Sequence, residues 1–138
     1  MAYITQATKK QIHEALKEVI PAGWKWTTGT RHNSTFVLNI WQGDPDLMAS
    51  FNRSMAAARE ARGDCAWEDH DSIELNDHYI GQQFDREDFN ELFSSILDTI
   101  RTYGNWFDKS DTQTDYFFTA FYISINLGRW DKPFKAAA

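Results

Sequence analysis

The chain has one cysteine, three prolines and seven glycines in 138 residues, and no apolar run of any length. Each shortage removes a class of protein. Cys65 alone closes no intrachain disulfide, so a disulfide-stapled scaffold is excluded and a reducing compartment is expected. Few prolines and glycines, with no internal repeat, exclude fibrous and low-complexity organisation. A bilayer-spanning helix needs about 18 consecutive apolar residues, and none are present, so no membrane partner is expected. Met1-Ala2-Tyr3-Ile4-Thr5 sets no basic region ahead of an apolar one, so no secretory leader is expected either. HExxH, CxxC and EF-hand spacings are missing, as is a glycine-rich phosphate loop. No cofactor is expected.

Positive charge is scarce in the middle of the chain. Residues 64–115 carry fourteen acidic side chains against Arg86, Arg101 and Lys109. The first 63 residues hold eight basic and five acidic side chains, and residues 116–138 hold three and one. The whole chain has a net charge of −6. A strongly negative middle repels nucleic acid and anionic membrane and attracts basic protein surfaces. Arg53, Arg59 and Arg62 lie along one helical stretch but are too few to reverse that field, so direct nucleic-acid binding is disfavoured.

What the chain has in quantity is aromatic residues: six Trp, ten Phe and five Tyr. They bury large areas each, so a chain of this size forms a true core as one globular domain. Ile12, Ala15, Leu16, Val19 and Ile20 follow helical spacing and predict a helix over 5–20, closed by Pro21. Two strands, 24–30 and 35–41, form a hairpin across the turn residues 29–34. Asp44 and Pro45 are expected to cap and open a second helix that ends at Gly63. Ile73 and Leu75 flank Glu74 as in a short strand, and 75–80 reads as a second one. Phe89, Leu92, Phe93, Ile96, Leu97 and Ile100 mark a third helix over 85–103, with Asp85 and Asp88 approximating a capping box. Residues 115–127 read as a long central strand. The expected fold is α+β, a mostly antiparallel sheet of four to five strands packed with about three helices in a single domain.

Three groups of residues invite a chemical reading. His70 between Asp69 and Asp71, and His78 beside Asp77, are ligand types for a divalent cation, yet acids also simply solvate loops. Asp108, Asp111 and Asp115 would hold Mg²⁺ or work as acid and base, yet Asp gathers in turns for its local hydrogen bonds. Cys65 would need a base such as His70 or His78, and no flanking pattern supports a nucleophile. Solvated turns and an inert thiol account for all three, and no catalytic or metal-binding residue is assigned. His13 and His32 stand without a pattern around them. The acids interleave with aromatics, which is how protein interfaces combine a polar rim with buried anchors. The expected partner-binding residues are therefore Asp64, Trp67, Glu68, Asp69, Asp71, Glu74, Asp77, Tyr79, Trp106, Asp108, Asp111 and Asp115. The acids would steer a partner, and Trp67, Tyr79 and Trp106 would anchor it.

The opening Thr8-Lys9-Lys10-Gln11-Ile12-His13-Glu14-Ala15-Leu16-Lys17-Glu18-Val19-Ile20-Pro21, continuing into Trp24-Lys25-Trp26, resembles the helix–Pro–strand start of a large polyvalent protein-associated domain family of phages and conjugative elements. Asp108-Lys109-Ser110-Asp111-Thr112-Gln113-Thr114-Asp115-Tyr116-Phe117 and Tyr122-Ile123-Ser124-Ile125-Asn126-Leu127-Gly128-Arg129-Trp130-Asp131-Lys132-Pro133-Phe134 resemble its closing segment. No catalytic residues come with this resemblance. What it implies is a mobile-element context, in which small acidic proteins inhibit host defence, anti-CRISPR proteins among them. The expectation is a non-enzymatic, nucleic-acid-mimicking inhibitor in the cytoplasm of a bacterial host. It would bind a protein with a basic surface, such as a CRISPR-Cas complex. The alternatives are a small metal-dependent hydrolase or nucleotide-modifying enzyme built on the Asp108 or His70 regions, and an accessory structural module of a mobile-element assembly.

Overall fold

Alternation along one strand decides where the helices go. In β2 (Thr35–Gly43), Phe36, Leu38 and Ile40 are fully buried, whereas Val37, Asn39 and Trp41 between them are half-buried. The computed structural model describes residues 3–75, 77–107, 120–129 and 133–136, the side chains of 77–79 and 135–136 aside. β1 (Lys25–Arg31) pairs antiparallel with β2 through a turn at 31–34. The Ser34 N–H donates to the Arg31 carbonyl at 3.2 Å, and His32 and Asn33 have φ of 55° and 54°. Two positive φ values in succession define the turn whose twist matches paired strands.

β4 (Tyr122–Leu127) flanks β2 on the other side and runs parallel to it. β3 (Ile73–Leu75) closes the far edge antiparallel to β4, and the two-residue β5 (Lys135–Ala136) runs parallel to the end of β2. The main order is β1-β2-β4-β3. Among the described residues, three α-helices and a four- to five-stranded sheet make the expected α+β domain, but the sheet is mixed rather than mostly antiparallel. The physical reason is the connection between β2 and β4. It passes through α2 (Leu47–Arg62) and α3 (Glu87–Tyr103), and a helical crossover returns the chain to the same end of the sheet. β4 is an interior strand, as expected. It is shorter than the 115–127 stretch: residues 115–119 lie outside the described residues, and the strand starts at Tyr122.

α1 (Gln6–Leu16) starts at Thr5, whose Oγ1 accepts the Thr8 N–H at 3.1 Å. It packs against α3, and its Ile12 and Leu16 share one buried core with Phe89, Phe93, Ile96, Leu97 and Ile100 of α3. Each fully buried side chain of this kind contributes about 1.5–3 kcal/mol. The sheet face opposite Phe36, Leu38 and Ile40 is polar. Thr27, Asn39, Asn126 and Glu74 share one row across the four strands. There the Asn126 amide donates to Asn39 Oδ1 at 3.1 Å, and the Ser124 hydroxyl donates to Glu74 Oε1 at the same distance.

Three local expectations are corrected. Asp44 does not cap α2: its Oδ1 accepts the Asp46 N–H at 2.8 Å, an Asx turn that places Pro45 ahead of the helix. Residues 77–82 form a 3-10 helix rather than a strand. Ile80 and Phe84, both buried, carry a helical spacing into the core. Asp85 and Asp88 form no capping box, because the Asp85 carboxylate is taken by Arg53 and Ser50 and that of Asp88 by Arg86. Glu87 and Asp88 still sit in the first turn of α3, where the helix dipole favours acids.

Candidate functional site

The acidic residues divide into those the fold neutralises and those it leaves facing solvent. The neutralised group joins the starts of α2 and α3. Arg53 donates to Asp46 at 2.9 and 3.0 Å and to Asp85 at 2.6 and 3.2 Å. Arg86 donates to Asp88 at 2.6 and 3.1 Å and to Asp46 at 3.3 Å. Hydrogen bonds from Arg53 hold the Asp46 and Asp85 carboxyls below the usual aspartate range, with Ser50 helping at Asp85, and Arg86 does the same for Asp88. The buried Ser50 hydroxyl also accepts the Asp85 and Arg86 N–H groups at 3.2 and 3.3 Å. This is a clamp between two helix ends and leaves little net charge for a partner.

The second group begins where α2 stops. Gly63 adopts φ of 74°, its N–H donates to the Glu60 carbonyl at 3.1 Å, and the Asp64 N–H donates to the Arg59 carbonyl at 3.0 Å. This pair of reversed bonds is a Schellman end, and it turns the chain back along the helix it has just left. Asn52 makes three of the hydrogen bonds that pin the following segment, 64–72. Asn52, 8% exposed, accepts the Trp67 indole N–H and the His70 N–H through Oδ1 and donates from Nδ2 to the His70 carbonyl, each at 3.0 Å. Trp67 packs edge-on against Phe51 at 6.1 Å, His70 lies 4.5 Å from it, and the Arg59 guanidinium sits 5.1 Å over its ring. The Phe134 N–H ties the far end by donating to the Asp71 carbonyl at 2.9 Å.

The result is an ordered acidic limb. Asp64, Glu68, Asp69, Asp71 and Glu74 are all exposed. Asp64 pairs with Arg62 at 3.0 Å, and Glu74 accepts from Ser124. Glu68, Asp69 and Asp71 form no ion pair among the described residues. The structure thus brings six of the expected residues, these five acids and Trp67, to one limb and its adjoining strand. Asp77 and Tyr79 lie in the 3-10 helix that follows. Asp108, Asp111 and Asp115 lie outside the described residues.

Two of the expected partner anchors serve the fold. Trp67 holds the limb down. Trp106 follows a second Schellman end, with Asn105 at φ of 52°, the Asn105 N–H donating to the Thr102 carbonyl at 3.3 Å and the Trp106 N–H to the Arg101 carbonyl at 2.9 Å. Its indole N–H donates to the Phe121 carbonyl at 2.7 Å, under the Arg101 guanidinium at 4.5 Å. Asn52, which organises the whole limb, carries no sequence signal beyond being a polar residue on the buried side of a helix.

No three His, Cys, Asp or Glu side chains come together in a metal-binding group among the described residues. Cys65 is exposed, and His70 is engaged with Trp67. Among the described residues no helix is long and apolar enough to cross a membrane. No protein-family model, curated protein or solved structure matches the chain.

Proposed function

We propose that the chain is a non-enzymatic inhibitor carried by a phage or other mobile element, which lays its acidic limb on the basic, nucleic-acid-binding surface of a bacterial defence complex such as a CRISPR-Cas effector. One observation carries the reading. Glu68, Asp69 and Asp71 project from a segment fixed by Asn52, with no cation paired to them among the described residues. Exposed carboxylates on a pre-ordered segment offer a basic groove fixed negative charge at little ordering cost. Such a contact forms fast and weakens with salt. Trp67 acts from within, holding the limb, and the limb's outer acids meet the partner. The resemblance at the chain ends supplies the mobile-element context, and the host cytoplasm is the compartment that context implies.

The test is phage plaquing on hosts with active CRISPR-Cas immunity of several types. Expression of the protein should restore plaquing on at least one of them. A folded variant with Glu68, Asp69, Asp71 and Glu74 all changed to Lys should not. Equal protection of phage by both proteins would remove the limb from the mechanism, and no effect on any immune host would remove the defence target.

A further inference from the structure

A groove lies away from the acidic limb, where α1 leans on β1. Trp26 and Thr28 pair with Ile40 and Leu38, so their side chains rise on the face that carries the helices. Gln6, Lys9, Lys10 and His13 meet them from α1, at the three- and four-residue spacing of one helix face. His13 Nδ1 lies 2.7 Å from Thr28 Oγ1, and its ring is 4.7 Å from that of Trp26, tilted by 37°. The Gln6 amide donates to Thr30 Oγ1 at 3.3 Å. These two bridges prop the helix against an edge strand and leave a groove of about 550 Å³, a volume within the range of small-ligand sites.

The lining has a specific chemistry. It offers an indole, two ammonium groups, an imidazole, the Thr28 hydroxyl and one amide, and no carboxylate. Lys9 and Lys10 form no ion pair among the described residues, while the nearby Glu14 is taken by Lys17 at 3.2 Å. In a chain of net charge −6 this is a locally positive groove beside an aromatic plane. Ammonium groups bind phosphate as point charges, and an aromatic side chain stacks any nucleobase. We propose that this groove binds a nucleoside phosphate, its base against Trp26 and its phosphate toward Lys9 and Lys10.

His13 supplies an internal reporter. Burial lowers its pKa first, and Lys17 and Lys9 lower it further against the opposing pull of Glu14. β1 places only the uncharged Trp26 and Thr28 against it. A phosphate brought into the groove would raise that pKa.

The experiment is an NMR titration of the full chain with adenosine monophosphate, with adenosine and inorganic phosphate run separately. The Trp26 indole N–H and the His13 ring resonances are followed, and His13 is titrated with and without ligand. Adenosine monophosphate should shift both and raise the His13 pKa, and should bind more tightly than either half. Lys9→Ala with Lys10→Ala, two changes that leave the core untouched, should weaken it about tenfold. Trp26→Leu should remove the preference over inorganic phosphate. No shift at Trp26 or His13 would overturn the proposal, as would phosphate binding as tightly as the nucleotide, or the double lysine variant binding as well as the wild type.

Discussion

Asn52→Ala tests whether the acidic limb is held or merely drawn near. The substitution removes one acceptor that takes two N–H groups and one donor to a carbonyl, all at 3.0 Å, from a residue 8% exposed. A net hydrogen bond contributes about 0.5–1.5 kcal/mol, so three give roughly 1.5–4.5 kcal/mol. The freed limb regains water at His70 and Trp67, which favours the lower half, about 2–3 kcal/mol. For a chain of this length that lowers Tm by about 8 °C. Urea unfolding gives the magnitude, and amide exchange at His70 gives the location. The reasoning requires faster exchange at His70 and a red-shifted Trp67 emission. A variant with wild-type stability and wild-type protection at His70 would show that something other than Asn52 positions the limb.

Further outcomes follow from other contacts. Gly104→Ala would place a Cβ 2.6 Å from the Phe121 ring and 2.8 Å from the Ile100 carbonyl, so urea denaturation should show a loss of about 1–3 kcal/mol. Phe93→Ala empties a fully buried site between helix and sheet and should cost about 3–5 kcal/mol by the same assay. The Asp46, Asp85 and Asp88 carboxyls titrate below their ordinary value in the folded state, so the unfolded chain takes up protons first. Their stabilisation is present above the ordinary aspartate pKa of 3.8 and is lost as pH falls through the lower folded values. Acid titration of Arg53→Met should therefore show a shallower loss of stability than the wild type; an identical slope would contradict the clamp.

Elements with a strong local period could be read from the sequence. The α3 stripe from Phe89 to Ile100, the β2 alternation around Leu38, and the hairpin of β1 with β2 all appear where the spacing places them. What escaped depends on contacts distant in the chain. Asp44 and Asp85 look like helix caps, but one closes its own turn and the other answers Arg53, 32 residues away. The parallel pairing of β2 with β4 is set by a two-helix crossover and leaves no mark in either strand. The exposed acids of the limb were legible as charge. Whether Trp67 faces a partner or the core was not, because the answer lies in Asn52 and Arg59 on the preceding helix. His13 likewise acquires meaning only when α1 lies against Thr28 and Trp26.

The most direct test of the proposed function is the salt dependence of binding to a CRISPR-Cas effector purified from a host on which expression of the protein restores plaquing. The wild type and the Glu68→Lys, Asp69→Lys, Asp71→Lys, Glu74→Lys variant are compared across a range of ionic strength. The account predicts tight wild-type binding at low salt, a steep decline as salt rises, and a weak, nearly flat response for the variant. Equal affinity and equal salt slope for the two proteins would contradict it.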